Sequence, residues 1–225
     1  MIADNVRSVM ERVAAAAVRA GRNASDIELV ASTKGRTLAE IDEAVSAGVR
    51  TIGENRVQEA EVKYPHLKGR VQVHMIGHLQ RNKVKDALKI FDMIHSVDSL
   101  RLAEEIDEAG ERMGEAVPVL LEVNVSGERS KFGVAPEELC PILEKVAALR
   151  AIRVEGLMTM SPMSEDSERV RPVFRRLREL AGEIARQGFP GVKMRQLSMG
   201  MTQDFEVAVE EGATMVRVGT AIFEG

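Results

Sequence analysis

One cysteine, one tyrosine, no long apolar run and no large excess of either charge set the first limits on this chain of 225 residues. Cys140, the only cysteine, cannot build an internal disulfide framework, which fits a reducing compartment. No apolar stretch reaches the roughly 18 residues that would suggest a membrane span, and the first residues carry no signal-peptide pattern. A soluble cytoplasmic protein without a membrane partner is therefore expected. Charged residues make up 29% of the chain, mixed in sign, with a net charge of −4, so no nucleic-acid footprint is expected either. No linker, internal repeat or low-complexity segment divides the sequence, and a hydrophobic content of 44% suffices for a substantial core. Residues 1–225 read as a single domain.

What the chain does contain is alternation. Val6, Val9, Met10, Val13 and Ala17 fall on one helical face closed by Gly21. A short apolar run to Lys34 follows, and then Thr37 with Glu40 at capping-box spacing ahead of Leu38, Ile41, Ala44 and Val45. The same strand-then-helix pattern recurs, with strands expected over 50–53, 71–76, 93–97, 117–124, 152–159, 194–197 and 214–218 and a helix over 80–91. Eight such units in a chain of this length predict α/β architecture closed as a single (β/α)8 TIM barrel. The extra N-terminal helix is expected to cover the seam beside the last strand, where no room remains for an eighth outer helix. The segment 128–133 reads as a long loop on the functional face.

In such barrels phosphates bind at the loops after strands seven and eight. Two turns rich in small residues occupy those positions, Ser198-Met199-Gly200-Met201 and Arg217-Val218-Gly219-Thr220. Lys34 ends strand one, which neighbours strand eight once the sheet closes. An amine that can form an imine with an aldehyde, set beside a phosphate cradle, points to pyridoxal phosphate. The commonest fate of a strand-end lysine is simple solvation; its position here favours the functional reading.

Other polar clusters read as less specific. His74 and His78 straddle a strand and Gly77, so a structural or pocket-lining role is expected rather than a metal pair. Asp204, Glu206, Glu210 and Glu211 read as a solvated helix face, and Arg175, Arg176 and Arg178 as water-facing. Of Met158, Met160 and Met163, only Met158 is a pocket candidate.

Five ordered segments then carry a family resemblance: Val30-Ala31-Ser32-Thr33-Lys34, Gly53-Glu54-Asn55-Arg56-Val57-Gln58-Glu59, His74 to Lys83, Leu197 to Met201, and Val216-Arg217-Val218-Gly219-Thr220. Together they resemble the pyridoxal phosphate homeostasis protein family, whose barrel is similar to that of alanine racemase. The resemblance implies a Schiff base on Lys34. It implies a phosphate held by Ser198, Gly219 and Thr220 with Gly200 and Met201 in the same loops, Arg217 facing the pyridine nitrogen, and Asn55 lining the pocket. The chain departs from the family pattern at Thr33, where Ser is common, at Arg36-Thr37 in place of Lys-Pro, and at Arg56 in place of a tyrosine.

A guanidinium stays protonated and cannot take a proton from a pyridinium, so the ring is expected to stay unprotonated and to be a weak electron sink. Racemisation also needs an acid and a base on opposite faces of the substrate. Tyr64, the only tyrosine, lies between strands two and three and is expected towards the opposite end of the barrel. The expected function is thus a monomeric, non-catalytic carrier of the cofactor that can pass it to apoenzymes. An amino-acid racemase and a Schiff-base aldolase stand as alternatives.

Overall fold

The computed structural model describes residues 1–128 and 131–224, so Arg129 and Ser130, part of the expected loop over 128–133, lie outside the described residues. Eight parallel strands close into a barrel in sequence order. They are β1 (Glu28–Ser32), β2 (Thr51–Glu54), β3 (Gln72–Met75), β4 (Met93–Val97), β5 (Val117–Glu122), β6 (Ile152–Met158), β7 (Gln196–Ser198) and β8 (Met215–Val218). Around them run α1 (Ile2–Arg19), α2 (Leu38–Ser46), α3 (Val57–Leu67), α4 (Val84–Ala87), α5 (Leu100–Met113), α6 (Leu139–Val146), α7 (Arg171–Gln187), α8 (Phe205–Glu210) and α9 (Thr220–Phe223). Among the described residues no helix is long and apolar enough to cross a membrane.

Closure is made by β1 against β8, where Val30 pairs with Arg217 and Ala31 with Val218. The seam is covered as the helical spacing implied. α1 buries Val6, Val9, Val13, Ala16 and Ala17 and packs on α2, α8 and α9, while its outer side pairs Arg12 with Glu206 and Arg19 with Glu210. α2 starts at the capping box, with the Thr37 and Glu40 side chains each bonded to the other's backbone. Strand side chains alternate between the outer apolar layer under the helices and the barrel interior. Inside, Val30, Ile76, Leu120, Met158 and Met215 form an apolar plug. Gly156 lets β6 approach β7, since a Cβ there would lie 1.8 Å from the Gln196 carbonyl oxygen.

Several expectations are corrected. The helix expected over 80–91 is a 3-10 turn, Arg81–Lys83, followed by the single-turn α4, because Asp92 draws the chain back to β3: its N–H donates to the Val73 carbonyl and its carboxylate accepts the Val73 N–H at 2.8 Å. β5 ends at Glu122 rather than 124, and β7 is shifted to Gln196–Ser198. The acidic run near α8 is not a solvated face. Asp204 is buried and accepts the Met201 N–H at 2.6 Å and the Ser161 hydroxyl at 2.5 Å. Buried Glu211 draws in Arg171, Arg175 and Arg178, and the last two pair with it while staying about half exposed, as their water-facing reading had it.

Candidate functional site

The C-terminal ends of the strands carry two depressions. One, of about 1130 Å³, opens at β5 to β8 and is lined by Ser32, Glu122, Lys131, Met201, Arg217, Gly219 and Thr220 among others. The second, of about 660 Å³, opens at β1 to β3 and is lined by Lys34, Asn55, Met75, Gly77 and His78 among others. The residues expected to form one site thus fall into two groups. They are joined through β1: Ser32 borders the first depression, a Cβ on Gly219 would sit 3.3 Å from the Ser32 Cβ, and Lys34 follows two residues later. The two rims also touch where His78 stacks on Phe132, ring centroids 3.9 Å apart, while the His78 imidazole meets Asp98 at 3.0 Å.

Arg217 points into the barrel and is 4% exposed. It donates to the Ser198 hydroxyl, to the Thr159 carbonyl at 2.9 Å and to the Met160 sulfur at 3.2 Å. Burial lowers the Arg217 pKa to about 10, with Glu122 and Asp204 opposing the shift. Ser198 also meets His95 at 2.9 Å, and His95 meets His74 at 3.0 Å. A guanidinium can only donate, so Ser198 accepts from Arg217, while the direction of its bond to His95 and of the bond between His95 and His74 is set by the histidine tautomers. Both rings are buried and neutral. Burial lowers the His74 pKa to about 4 and that of His95 well below the usual histidine range, with His74 and Arg217 adding to the latter shift. The Ser198 hydroxyl is therefore engaged by Arg217 and His95.

The remaining expected residues divide as follows. Met158, the one pocket candidate of the three methionines, belongs instead to the interior plug, while Met160 and Met163, which were not candidates, line the larger depression. Gly200 has φ of +90°, and its carbonyl accepts the Arg217 N–H at 3.0 Å; a Cβ there would lie 2.5 Å from the Ala208 Cβ, so the loop needs glycine. Met201, Gly219 and Thr220 line the depression with Arg217. Lys34 is exposed, in a turn just beyond β1. Asn55 carries a buried Oδ1 with no hydrogen-bond partner, an acceptor left open beside Lys34. Gly77 permits this approach, since its Cβ would come 2.5 Å from the Asn55 carbonyl oxygen.

Three features escaped the sequence reading. Glu122 is 6% exposed and faces the larger depression; burial pushes its carboxyl up to about 7, Asp98 adding and Arg217 opposing. A carboxylate at the end of an apolar strand was the available signal. Lys63 is buried against Glu54 and Glu59, yet Glu59 and Lys63 at i and i+4 look in sequence like an ordinary surface pair. His74 and His95 come together only through the adjacency of β3 and β4. Among the described residues no group of His, Cys, Asp and Glu could hold a metal ion.

The geometry agrees with comparisons to known proteins. The family described as alanine racemase, N-terminal domain, matches residues 2–225. The pyridoxal phosphate homeostasis protein of Aquifex aeolicus is 44% identical over 98% of this chain and 96% of that protein, and that of Pseudomonas aeruginosa is 39% identical over 99% and 94%. The structure of PipY from Synechococcus elongatus, with pyridoxal phosphate bound, is 34% identical with a TM-score of 0.85, covering 99% of this chain and all of that one. With relatives of that similarity over nearly its full length, the chain belongs to the alanine racemase N-terminal domain family and, within it, to the pyridoxal phosphate homeostasis proteins.

Proposed function

We propose that this chain holds pyridoxal 5'-phosphate reversibly on Lys34, limits the free aldehyde and passes the cofactor to apoenzymes, as a monomeric single-domain protein of the cytoplasm without catalytic turnover. The observation that carries the reading is the pairing of β1 with β8, which brings the end of the strand before Lys34 against the Arg217-to-Thr220 segment at one barrel mouth. The residues fit the cofactor. The unpartnered Asn55 Oδ1 can accept a donor, Met201, Gly219 and Thr220 border a depression large enough for the phosphate, and Arg217 supplies a positive charge. When bound, the cofactor supplies an aldehyde that condenses with a primary amine.

This chain's own groups favour storage over turnover. Arg217, with a pKa of about 10, remains protonated near neutral pH and cannot accept a proton from the ring nitrogen. Tyr64 lies in α3 and lines a depression with Lys68, Val117 and Pro118, at the N-terminal end of β5 and away from Lys34. The names of the curated relatives and the cofactor in PipY support the same reading. Reduction of the loaded protein with borohydride, followed by peptide mapping, should give a pyridoxyl adduct on Lys34; an adduct confined to another lysine, or none, would overturn the assignment. Steady turnover of an amino acid between its enantiomers would instead favour the racemase.

A further inference from the structure

We propose that Lys63, with Glu54 and Glu59, is a positioning cluster that holds the Lys34 turn in the geometry for aldehyde capture. The proposal rests on the assignment of Lys34 above.

The Lys63 ammonium is 9% exposed and makes three hydrogen bonds: to the Thr33 carbonyl at 2.8 Å, to Glu54 at 2.7 Å and to Glu59 at 2.8 Å. Glu59 in turn accepts the Gly35 N–H at 2.6 Å, and Glu54 accepts the Thr33 hydroxyl at 2.5 Å. The residues on both sides of Lys34 are thus tied to one buried cation, one from its carbonyl and the other from its N–H. The turn does not need this to close, because Gly35 adopts a φ of +70° and the Arg36 N–H already donates to the Thr33 carbonyl at 3.0 Å.

Burying an ammonium and a carboxylate is a poor route to stability, since an apolar replacement of similar volume is often neutral or better. Glu54 pays part of that penalty: burial pushes its carboxyl up, against the pull of Lys63 and Thr33, and its second oxygen has no partner. Burial also pushes Glu59 up, but the bonds from Lys63 and Gly35 outweigh it and hold that carboxyl low. What the cluster does accomplish is to fix the backbone on either side of the reactive amine. It also explains the choice of lysine. All three Lys63 hydrogens are committed to acceptors, whereas the Lys34 side chain is exposed and free to attack. In the capture step the unprotonated Lys34 nitrogen bonds to the aldehyde carbon, and the carbonyl oxygen leaves as water with both amine hydrogens.

Two ligands separate positioning from general binding. Pyridoxal phosphate can condense with Lys34; pyridoxine 5'-phosphate, with an alcohol in place of the aldehyde, can only occupy the cradle. Lys63→Met is expected to slow Schiff-base formation, followed by absorbance, by about tenfold or more, while pyridoxine phosphate binds as in the parent. Lys63→Arg should recover much of the loss. Glu59→Ala, at the more exposed edge, should slow capture less, and it carries the test should Lys63→Met fail to fold. Parental capture rates in the folded variants would overturn the proposal, as would an equal loss of pyridoxine phosphate affinity. Failure of the parent itself to capture the aldehyde on Lys34 would instead remove the underlying function.

Discussion

Burial drives Glu122 and His74 in opposite directions along the pH axis. The folded protein keeps the Glu122 proton up to about 7, whereas an ordinary glutamate releases it near 4.5. Between those values the folded state binds more protons than the unfolded one, so stability falls as pH rises, by about 3 kcal/mol across the window. For His74 the unfolded chain takes a proton below about 6.5 and the folded state only below about 4. Stability there falls as pH drops, by about 3 kcal/mol, and His95 acts in the same sense. Glu122→Gln removes the first dependence alone. Urea unfolding of the unloaded protein at pH 5 and pH 8 should show the variant gaining on the parent at the higher pH; parallel behaviour of the two would refute the buried-acid reading. Ser198 is a second test at this scale. Its hydroxyl holds Arg217 and His95, so Ser198→Ala should alter the pH dependence of the bound cofactor's absorbance while inorganic phosphate competes as well as before. Weaker competition by phosphate would return Ser198 to the cradle.

At the scale of elements, local signals and packing contribute separately. The Thr37 and Glu40 spacing was legible because a capping box is contained within four residues, and Thr37→Ala should destabilise the protein by about 1 kcal/mol in urea titration. β4 was read over its observed span because Asp92 and Asp98 bracket a short segment with apolar residues at both ends. β7 was not: three residues are too short to show a period, and its place is set by pairing with β6 and β8. α4 was overestimated: it stops at Ala87, and the chain beyond it is tied at Asp92 to Val73, a partner nineteen residues upstream that the local pattern does not show. The same limit hid the interior relay and the Lys63 cluster, whose members are distant in sequence or sit in patterns that also describe surfaces. The placement of Lys34, Met201, Arg217, Gly219 and Thr220 at one barrel mouth was legible because the barrel fixes which ends of strands share a face. Gly156 supplies a test of strand approach. Gly156→Ala would drive a methyl group into the β7 backbone, and a loss of at least 1 to 3 kcal/mol is expected, about the usual cost of overpacking; an unchanged midpoint would contradict the close approach.

For the whole molecule, α1 is the element whose removal should separate folding from chemistry. Its apolar face covers α8, α9 and the β1–β8 seam, so deletion of residues 1–22 is expected to lower the thermal midpoint and expose apolar surface. Its exposed ion pairs to Glu206 and Glu210 contribute little by comparison. Any truncated protein that remains folded should still capture aldehyde, because no α1 residue borders either depression at the mouth. Loss of capture from a folded truncation would show that α1 reaches the site by another route.

The β1–β8 closure also bears on biosynthesis. Lys34 follows the first strand of the barrel to be translated and Arg217 lies in the last, and their two parts of the mouth are joined only after β8 has emerged from the ribosome and found β1. A nascent or stalled chain therefore presents Lys34 without Arg217 and the loop beyond it. On the proposed reading of Lys34, cofactor loading is expected of chains in which β8 has paired with β1 and not of fragments that end before it.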